Sequence, residues 1–189
     1  MLCVLDSLYP GLTLKIGRVH TYLGMEIDFT KKGKVSIAMH KYLDNILMEF
    51  PEQLGAIATS PAANHLFQVC PDDKEQKLPD PQAVAFHYTT AQLLFLSSRC
   101  RQDCQTAVAF LTTHAKAPDE DEWGKLRRVL KYLKGTRRLL ITLEADDLTI
   151  NKWWVAASFQ AHDDRKGRTV NMMSLGHGAA TSFSRKQKM

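Results

Sequence analysis

A segment with complete start and stop signals for an α-helix constrains the fold of this sequence more than any other. Asp119 follows Pro118 in an N-cap position, and Glu122 stands three residues later, which is the spacing of a capping box. Gly135 marks the expected end of the helix. The apolar residues between these signals recur with helical periodicity, so we expect one helix face to be buried in a core. That face consists of Trp123, Leu126, Val129, Leu130 and Leu133.

The remainder of this helix and the residues just after it are strongly basic. Such a row of side chains could line the phosphate backbone of a nucleic acid. The alternative is an ordinary solvated helix face, on which long basic side chains also cover apolar surface. The net charge of +5 allows an anionic partner without requiring one. The candidate nucleic-acid-binding residues are Lys125, Arg127, Arg128, Lys131, Lys134, Arg137 and Arg138.

The first half of the sequence predicts a β-hairpin followed by helices. Residues 22–29 alternate between apolar and polar side chains, which is typical of a strand with one buried face. Residues 35–39 continue this alternation after a turn at 31–34, so a hairpin is expected. A helix is predicted at 40–50, and a helical pattern over 83–116 is interrupted near Arg101-Gln102-Asp103.

The segment at 59–82 and the C-terminal part lack helical periodicity. Ser60-Pro61 and a polar run of mixed charge predict an exposed connector at 59–82. Strands are predicted at 139–143 and 150–159, and the aromatic pair Trp153-Trp154 is expected to be buried in the second. The Gly-His-Gly tripeptide at 176–178 predicts a tight turn between the last two strands.

Several classes of protein are disfavoured by composition. No apolar run approaches the roughly 18 residues of a membrane-spanning helix. The first residues lack the basic and apolar regions of a secretory signal. Scattered cysteines without a CxxC pair indicate buried, reduced thiols rather than a metal or redox site, which favours a reducing, cytoplasmic or nuclear compartment. These cysteines are Cys3, Cys70, Cys100 and Cys104.

Several sequence blocks occur in the order found in one known family. They are YLGMEI from Tyr22, RQD at 101–103, WGKLRRVLKYLKGT at 123–136, and VAAS from Val155, followed by LGHG and SRKQK. Together they resemble the polyprotein of copia-type retrotransposons at the junction of reverse transcriptase and ribonuclease H. The block at 123–136 is the most specific, and the resemblance covers nearly the whole chain.

This resemblance implies an α+β fold with a defined order of parts. Residues 1–58 would form a primer-grip-like hairpin and helix, and residues 59–82 an exposed connector. Residues 83–136 would form a thumb-like helical region. Residues 137–189 would form a truncated ribonuclease H-like antiparallel sheet. Because one face of that sheet would lack its usual helix, we expect apolar surface to be left open for another chain.

The resemblance also implies that both ancestral catalytic sites are incomplete. Reverse transcriptases of this kind carry an aspartate pair upstream of the YLGM block, whereas Asp6 stands alone there. The first strand of ribonuclease H normally carries an aspartate where this sequence has Ala156. The family's next acidic ligand would lie beyond residue 189. Because two-metal catalysis requires converging carboxylates, we expect no enzymatic activity, no magnesium site and no other cofactor.

Two aspartates and two histidines in the C-terminal part of the chain invite a search for a remaining metal site. Asp163 and Asp164 are expected to form a turn or to pair with Arg165 and Lys166 rather than to bind a metal. The two histidines of this region have no acidic or cysteine partner at ligand spacing, so neither is expected to act as a base or ligand. These histidines are His162 and His177.

The leading functional hypothesis is a non-catalytic, retroelement-derived binding or structural component. Its basic residues would contact the backbone of an RNA–DNA or RNA duplex with little sequence preference. A second hypothesis is a structural subunit docked on protein neighbours in a large assembly. A third is residual ribonuclease H or reverse transcriptase activity completed by a partner chain. A fragment without a selected function is also compatible with the sequence.

Overall fold

The computed structural model describes residues 9, 11, 15–71, 76–162 and 164–188, which form helices and two antiparallel sheets. The mixed α+β class expected from the sequence is confirmed. The helices are α1 (His40–Glu49), α2 (Asp80–Arg99), α3 (Gln105–Thr113) and α4 (Glu120–Gly135), with a 3₁₀ turn at Gln102–Cys104. The strands are β1 (Val19–Tyr22), β2 (Met25–Asp28), β3 (Lys34–Ala38), β4 (Ile141–Ala145), β5 (Lys152–Ser158), β6 (Arg168–Ser174), β7 (Gly176–His177) and β8 (Thr181–Lys186).

Helix α4 lies at the centre of the hydrophobic core. Its five predicted apolar residues are all buried, and the Trp123 ring stacks on Phe50 with a centroid distance of 5.1 Å. The predicted capping box is present: the Glu122 N–H donates to the Asp119 carboxylate at 2.8 Å, and the Asp119 N–H donates to the Glu122 carboxylate at 2.9 Å. Two backbone N–H groups at the start of the helix, those of Asp119 and Glu122, thereby have hydrogen-bond acceptors. Within the described chain, no helix is long and apolar enough to cross a bilayer.

The first sheet has the strand order β1-β2-β3-β4-β7. The continuous strand predicted at 22–29 is wrong, because the chain reverses at Leu23 and Gly24, where φ is 48° and 76°. Two successive positive φ values are the signature of a tight hairpin turn, and Gly24 adopts this conformation without steric cost. Tyr22 consequently pairs with Met25 across the turn. The predicted hairpin turn at 31–34 joins β2 to β3 as expected.

Residues 137–189 contribute strands to both sheets. Strand β4 extends the N-terminal hairpin by pairing with β3, placing Ile141 opposite Ile37. An ion pair of 2.8 Å between Lys34 and Glu144 supports the same register. The single sheet expected over 137–189 is therefore divided, because β4 forms its backbone hydrogen bonds with β3 rather than with the other C-terminal strands of the second sheet. The assignment of these regions to parts of a polymerase and a nuclease stays a prediction.

The Gly-His-Gly tripeptide does not form the predicted tight turn. Instead, Gly176 and His177 form β7, which pairs with the end of β4 in the first sheet. At Gly178, φ is 74°, and an added Cβ atom would overlap the backbone carbonyl of Thr142. The segment between β6 and β8 therefore leaves the second sheet to pair with β4, and Gly178 permits its close approach to Thr142. A two-residue turn between β6 and β8 would not provide this contact.

The second sheet has the order β5-β6-β8 and packs one face on α3. The Arg168 guanidinium is buried at this contact and donates from Nε to the Ser184 hydroxyl at 2.7 Å. The Gln105 side chain donates to the Ser182 carbonyl at 3.0 Å. The contact between the sheet and the helices is therefore polar and runs through β6 and β8, whereas β5 lies at the far edge.

The residues of β5 are exposed, contrary to the prediction that its aromatic pair is buried. Trp153 and Trp154 are 56% and 48% exposed, and Val155 and Phe159 are also exposed. The reason is tertiary: β5 is an edge strand, and the helical layer covers only β6 and β8. The exposure of these side chains agrees with the expectation that apolar surface would be left open in this region.

The predicted connector at 59–82 is irregular over residues 59–71 and 76–79, whereas its last three residues already belong to α2, and it is not uniformly exposed. Leu66 and Leu78 are buried in the helical core, and Lys77 forms an isolated bridge with Asp119. This segment therefore packs along α4. The proposed domain boundaries themselves stay a prediction.

Candidate nucleic-acid interface

The seven basic residues of the candidate interface have different surroundings, and Lys125 is buried. Its ammonium group lies 2.7 Å from the Asp121 carboxylate and donates to the Gln68 carbonyl. It also lies 4.9 Å from the centre of the Phe110 ring, within the range of a cation–π interaction. These contacts leave Lys125 unable to reach a phosphate, so it holds the irregular segment against the helices.

Arg127 and Arg128 connect α4 to the segment that precedes α2. The Arg127 guanidinium lies 3.3 Å from the Glu52 carboxylate, in an ion pair with both side chains partly exposed. Arg128 donates to the Ser60 hydroxyl at 3.1 Å and is half-buried. Arg127 therefore presents its charge to solvent, whereas Arg128 serves mainly to position the chain around Ser60.

The C-terminal end of α4 carries a second group of basic side chains. Lys134 donates to the Leu54 carbonyl at 2.7 Å. Arg137 forms an ion pair of 2.7 Å with Asp44, and its own carbonyl lies 2.9 Å from the His40 ring. Both Lys134 and Arg137 remain exposed, so they can still interact with a ligand from solution.

Lys131 and Arg138 differ from the other five. Neither has a hydrogen-bond or ion-pair partner within the described part of the chain. Lys131 lines a depression of about 730 Å³ between residues 56–66 and α4. Arg138 lines a second depression of about 580 Å³ together with Arg137 and Asp44. Their charges are therefore available to an anionic ligand.

Five of the candidate residues form one solvent-accessible surface, partly exposed at Arg127 and Lys131 and exposed at the other three, which we call the basic stripe. It consists of Arg127, Lys131, Lys134, Arg137 and Arg138. Successive helical members are spaced by four and three residues, which places them on one side of α4. Acidic residues at the start of the helix, Glu120 and Asp121, also line the larger depression. Positive charge therefore increases toward the C-terminal end, where the helix dipole also favours cations.

A polar network around the buried Arg101 side chain fixes the end of α4 that carries the stripe. The Arg101 guanidinium lies 2.7 Å from the Asp103 carboxylate and donates to the Thr136 carbonyl at 3.1 Å. The Tyr132 hydroxyl donates to Asp103 at 2.8 Å. Burial opposes ionisation of Asp103, but the hydrogen bonds from Arg101 and Tyr132 outweigh it and lower the pKa of that carboxyl. The sequence signalled a break and a family motif here, but not this connection to Tyr132.

The position of the missing nuclease carboxylate lies on β5. Ala156 is exposed and pairs with Val170 of β6. Asp164 lies 2.8 Å from Lys186 and 3.7 Å from Lys166. The hydrogen bond from Lys186 lowers the pKa of Asp164, so its carboxylate is engaged in ion pairs. The sequence predicted Arg165 and Lys166 as partners of the aspartates. Lys166 does lie near Asp164, and Lys186 is a further partner that was not predicted.

The other candidate ligands are separated from one another. Across residues 15–71, 76–162 and 164–188, no three His, Cys, Asp or Glu side chains come together as a metal site would require. His162 packs on the Phe67 ring at a centroid distance of 4.8 Å, and His177 lies on β7. Asp6 and Asp163 lie outside the described residues.

Two of the cysteines are buried in the helical core. Burial raises the pKa of the Cys100 and Cys104 thiols, which disfavours the reactive thiolate. The Cys100 thiol donates to the Ile37 carbonyl at 3.4 Å, which links α2 to the first sheet. Cys70 is half-buried, and Cys3 lies outside the described residues.

Comparison with known proteins shows which sequences this chain resembles. The chain is 32% identical over 188 residues to a Retrovirus-related Pol polyprotein from transposon RE2 of Arabidopsis thaliana. It is 24% identical over 177 residues to the Retrovirus-related Pol polyprotein from transposon TNT 1-94 of Nicotiana tabacum. It is also 24% identical over 174 residues to a transposon Ty5-1 protein of Saccharomyces cerevisiae. The resemblance to copia-type retrotransposon polyproteins is thereby confirmed.

These similarities cover most of this chain but only part of each relative. They span 97%, 92% and 91% of the chain, in the same order. They span 12% and 13% of the two Pol polyproteins and 54% of the yeast protein. No family model matches the chain. No solved structure matches it either.

Proposed function

We propose that this chain is a non-catalytic, retroelement-derived binding component that contacts a nucleic-acid backbone through the basic stripe. The observation that carries the proposal is that the half-buried Lys131 and the exposed Arg138 have no hydrogen-bond or ion-pair partner in the described part of the chain. The relatives are named as transposon proteins, which supports a retroelement origin for this chain. The partner proposed is the backbone of an RNA–DNA or RNA duplex.

The spacing of the stripe supports contact with successive phosphates. Side chains three or four residues apart on a helix are separated by about 5–6 Å at Cβ. The ion pairs of Arg127 with Glu52 and of Arg137 with Asp44 are exposed. Such pairs contribute only about 0–1 kcal/mol, so a phosphate can replace the carboxylate at little cost. Contacts of this kind fix position on a duplex without reading its sequence.

The proposal reduces the predicted set of seven basic residues to five. Lys125 and Arg128 are assigned to folding, because their polar groups are directed at the segment that covers α4. The five residues of the stripe are assigned to binding. This division gives matched substitutions on the same helix that separate loss of binding from loss of stability.

The non-catalytic part of the proposal rests on Ala156 and on the engagement of Asp164 by Lys186. Cleavage by two metals requires several carboxylates that converge on one point. We therefore propose that neither magnesium nor another cofactor serves this chain. Residual activity completed by a partner chain is the alternative. Magnesium-dependent cleavage of an RNA–DNA hybrid by the purified chain alone would refute the non-catalytic proposal outright.

Fluorescence anisotropy with a labelled RNA–DNA hybrid at low salt tests the binding proposal. The variant Lys131→Glu/Arg138→Glu is expected to bind at least about tenfold more weakly, because it removes two phosphate contacts and adds repulsion. The control Lys31→Glu/Lys32→Glu makes the same change in net charge on the exposed turn between β2 and β3. Equal losses in both double variants, or no detectable binding by the unmodified chain, would refute the proposal.

A second candidate function is that of a structural subunit docked on protein neighbours. The exposure of Trp153 and Trp154 on β5 favours it, since apolar edge strands are common protein-binding surfaces. The two functions use different surfaces of the chain. Substitutions in the stripe and on β5 therefore test them separately.

A further inference from the structure

Strand β5 has an open edge without the features that usually protect one. It pairs with β6 on one side only, so the backbone groups of its other side have no strand partner among the described residues. Its seven residues pair with β6 in one unbroken register, from Lys152 opposite Ser174 to Ser158 opposite Arg168. Exposed edges are ordinarily blunted by a proline, a bulge, an inward charge or short length. Strand β5 has none of these along its central five residues, Trp153 to Ala157.

Both faces of β5 are apolar and open to solvent. Trp153 and Val155 lie on one face, whereas Trp154 and Ala156 lie on the other, because side chains alternate along a strand. Val155 is 69% exposed, more than either tryptophan. An occupant of this edge must therefore cover apolar surface on two sides, which an added β-strand does and a helix lying on one face does not.

We propose that the occupant is a second copy of this chain, with the two β5 strands paired antiparallel about Val155. In this arrangement a two-fold axis perpendicular to the sheet passes beside Val155 and joins two three-stranded sheets into one of six strands. The register then places Trp153 opposite Ala157 of the second copy. It also places Trp154 opposite Ala156, and Lys152 opposite Ser158.

The sequence of β5 is complementary to itself in this register. Each indole ring faces a methyl group on both faces of the sheet, so a large side chain meets a small one at every aromatic position. No like charges are opposed, because Lys152 faces a hydroxyl. A register shifted by two residues, centred on Trp154, opposes the two indoles directly and leaves Ala157 and Ser158 unpaired. The centre at Val155 therefore uses all seven residues and avoids this collision.

The size of the contact determines the expected affinity. About half of each tryptophan is exposed, and only one strand per copy takes part. The buried area thus falls below the roughly 1,600 Å² of a standard interface, and we expect a dissociation constant in about the micromolar range. Because each copy presents this edge once, the pairing closes at two copies rather than growing into a filament.

Sedimentation velocity of the full chain over a range of concentrations tests the pairing. The unmodified chain is expected to form dimers at high micromolar concentration. Val155→Lys and Val155→Glu are each expected to weaken dimerisation at least about tenfold, because each places like charges opposite one another at the two-fold axis. Position 155 is exposed in the monomer, so neither substitution removes a contact of the core.

Mixing the two variants provides the decisive comparison. An equimolar mixture of Val155→Lys and Val155→Glu is expected to regain dimers, since opposite charges then face each other across the axis. Leu148→Lys, at another exposed apolar position between β4 and β5, is the control and should dimerise as the unmodified chain does. A monomer at every concentration, loss of dimers in the control, association beyond two copies, or no recovery on mixing would each overturn the proposal.

Discussion

At the level of single residues, Lys125 and Lys131 show how two lysines of one helix acquire different roles. The Lys125 ammonium is enclosed by Asp121, the Gln68 carbonyl and the Phe110 ring. Lys131 lines an open depression and has no polar partner in the described part of the chain. A buried lysine with satisfied donors holds the fold, whereas a partly exposed lysine without a polar partner is available to a ligand.

A pair of matched substitutions is expected to separate these roles. Lys125→Met should lower the free energy of unfolding by about 1–3 kcal/mol, because it removes a charged donor from the Gln68 carbonyl and the cation–π contact with Phe110. It should leave hybrid binding by the folded chain unchanged, because the Lys125 ammonium is already occupied by Asp121 and the Gln68 carbonyl although the residue lines the same depression as Lys131. Lys131→Met should weaken binding and change stability by less than about 0.5 kcal/mol. Urea unfolding and fluorescence anisotropy on both variants measure the two effects, and the reverse pattern would show that the roles are misassigned.

At the level of secondary structure, α4 organises both the core and the stripe. Its apolar face contacts the other helices, and the stripe lies on its solvent side. The capping box at Asp119 and Glu122 fixes its start, and the Arg101 network fixes its end. A helix held at both ends presents its charges with little motion, which reduces the entropy lost when a ligand binds.

The capping box is expected to contribute measurably to stability. Asp119→Ala removes the acceptor for the Glu122 N–H and should cost about 1 kcal/mol. Glu120→Ala is the control, because Glu120 lies in the same turn, is exposed and takes no part in the cap. Thermal unfolding followed by circular dichroism measures both. Equal loss of stability in the two variants would show that general charge near the helix start, rather than the cap, is responsible.

Sequence reasoning succeeded where a structure depends on neighbouring residues and failed where it depends on tertiary position. The cap, buried face and end of α4 were all predictable, since each signal lies within the segment itself. The reversal at Leu23 was not predictable, because leucine continues the apolar pattern of the strand. The backbone of a leucine also rarely adopts the positive φ that is found there. The exposure of Trp153 was not predictable either, because a strand sequence does not show whether the strand lies at an edge.

The same limit applies to the candidate interface. All seven basic residues were identifiable as a group from the sequence. Their division into buried and exposed sets depends on the segment at 51–68, which returns to cover α4 and supplies acceptors such as Glu52 and Ser60. No periodic pattern in that segment indicates where it packs. Contact with α4 was therefore visible only in the folded chain.

At the level of the whole molecule, the two candidate surfaces lie on different elements. The basic stripe lies on and just after α4, and the open edge belongs to β5 in the second sheet. Pairing through β5 would leave the stripe of each copy exposed. A dimer would then carry two stripes, and a duplex long enough to contact both would be bound more tightly without any new type of contact.

The salt dependence of hybrid binding tests the central claim most directly. Each phosphate neutralised by the stripe contributes about −0.9 to the slope of log K against log salt concentration on duplex DNA, and we expect a similar value here. For monomeric chain, the slope should be about −3 to −5, and Lys131→Glu/Arg138→Glu should reduce its magnitude by about 2. A slope near zero for the unmodified chain, or an unchanged slope in the variant, would contradict the account.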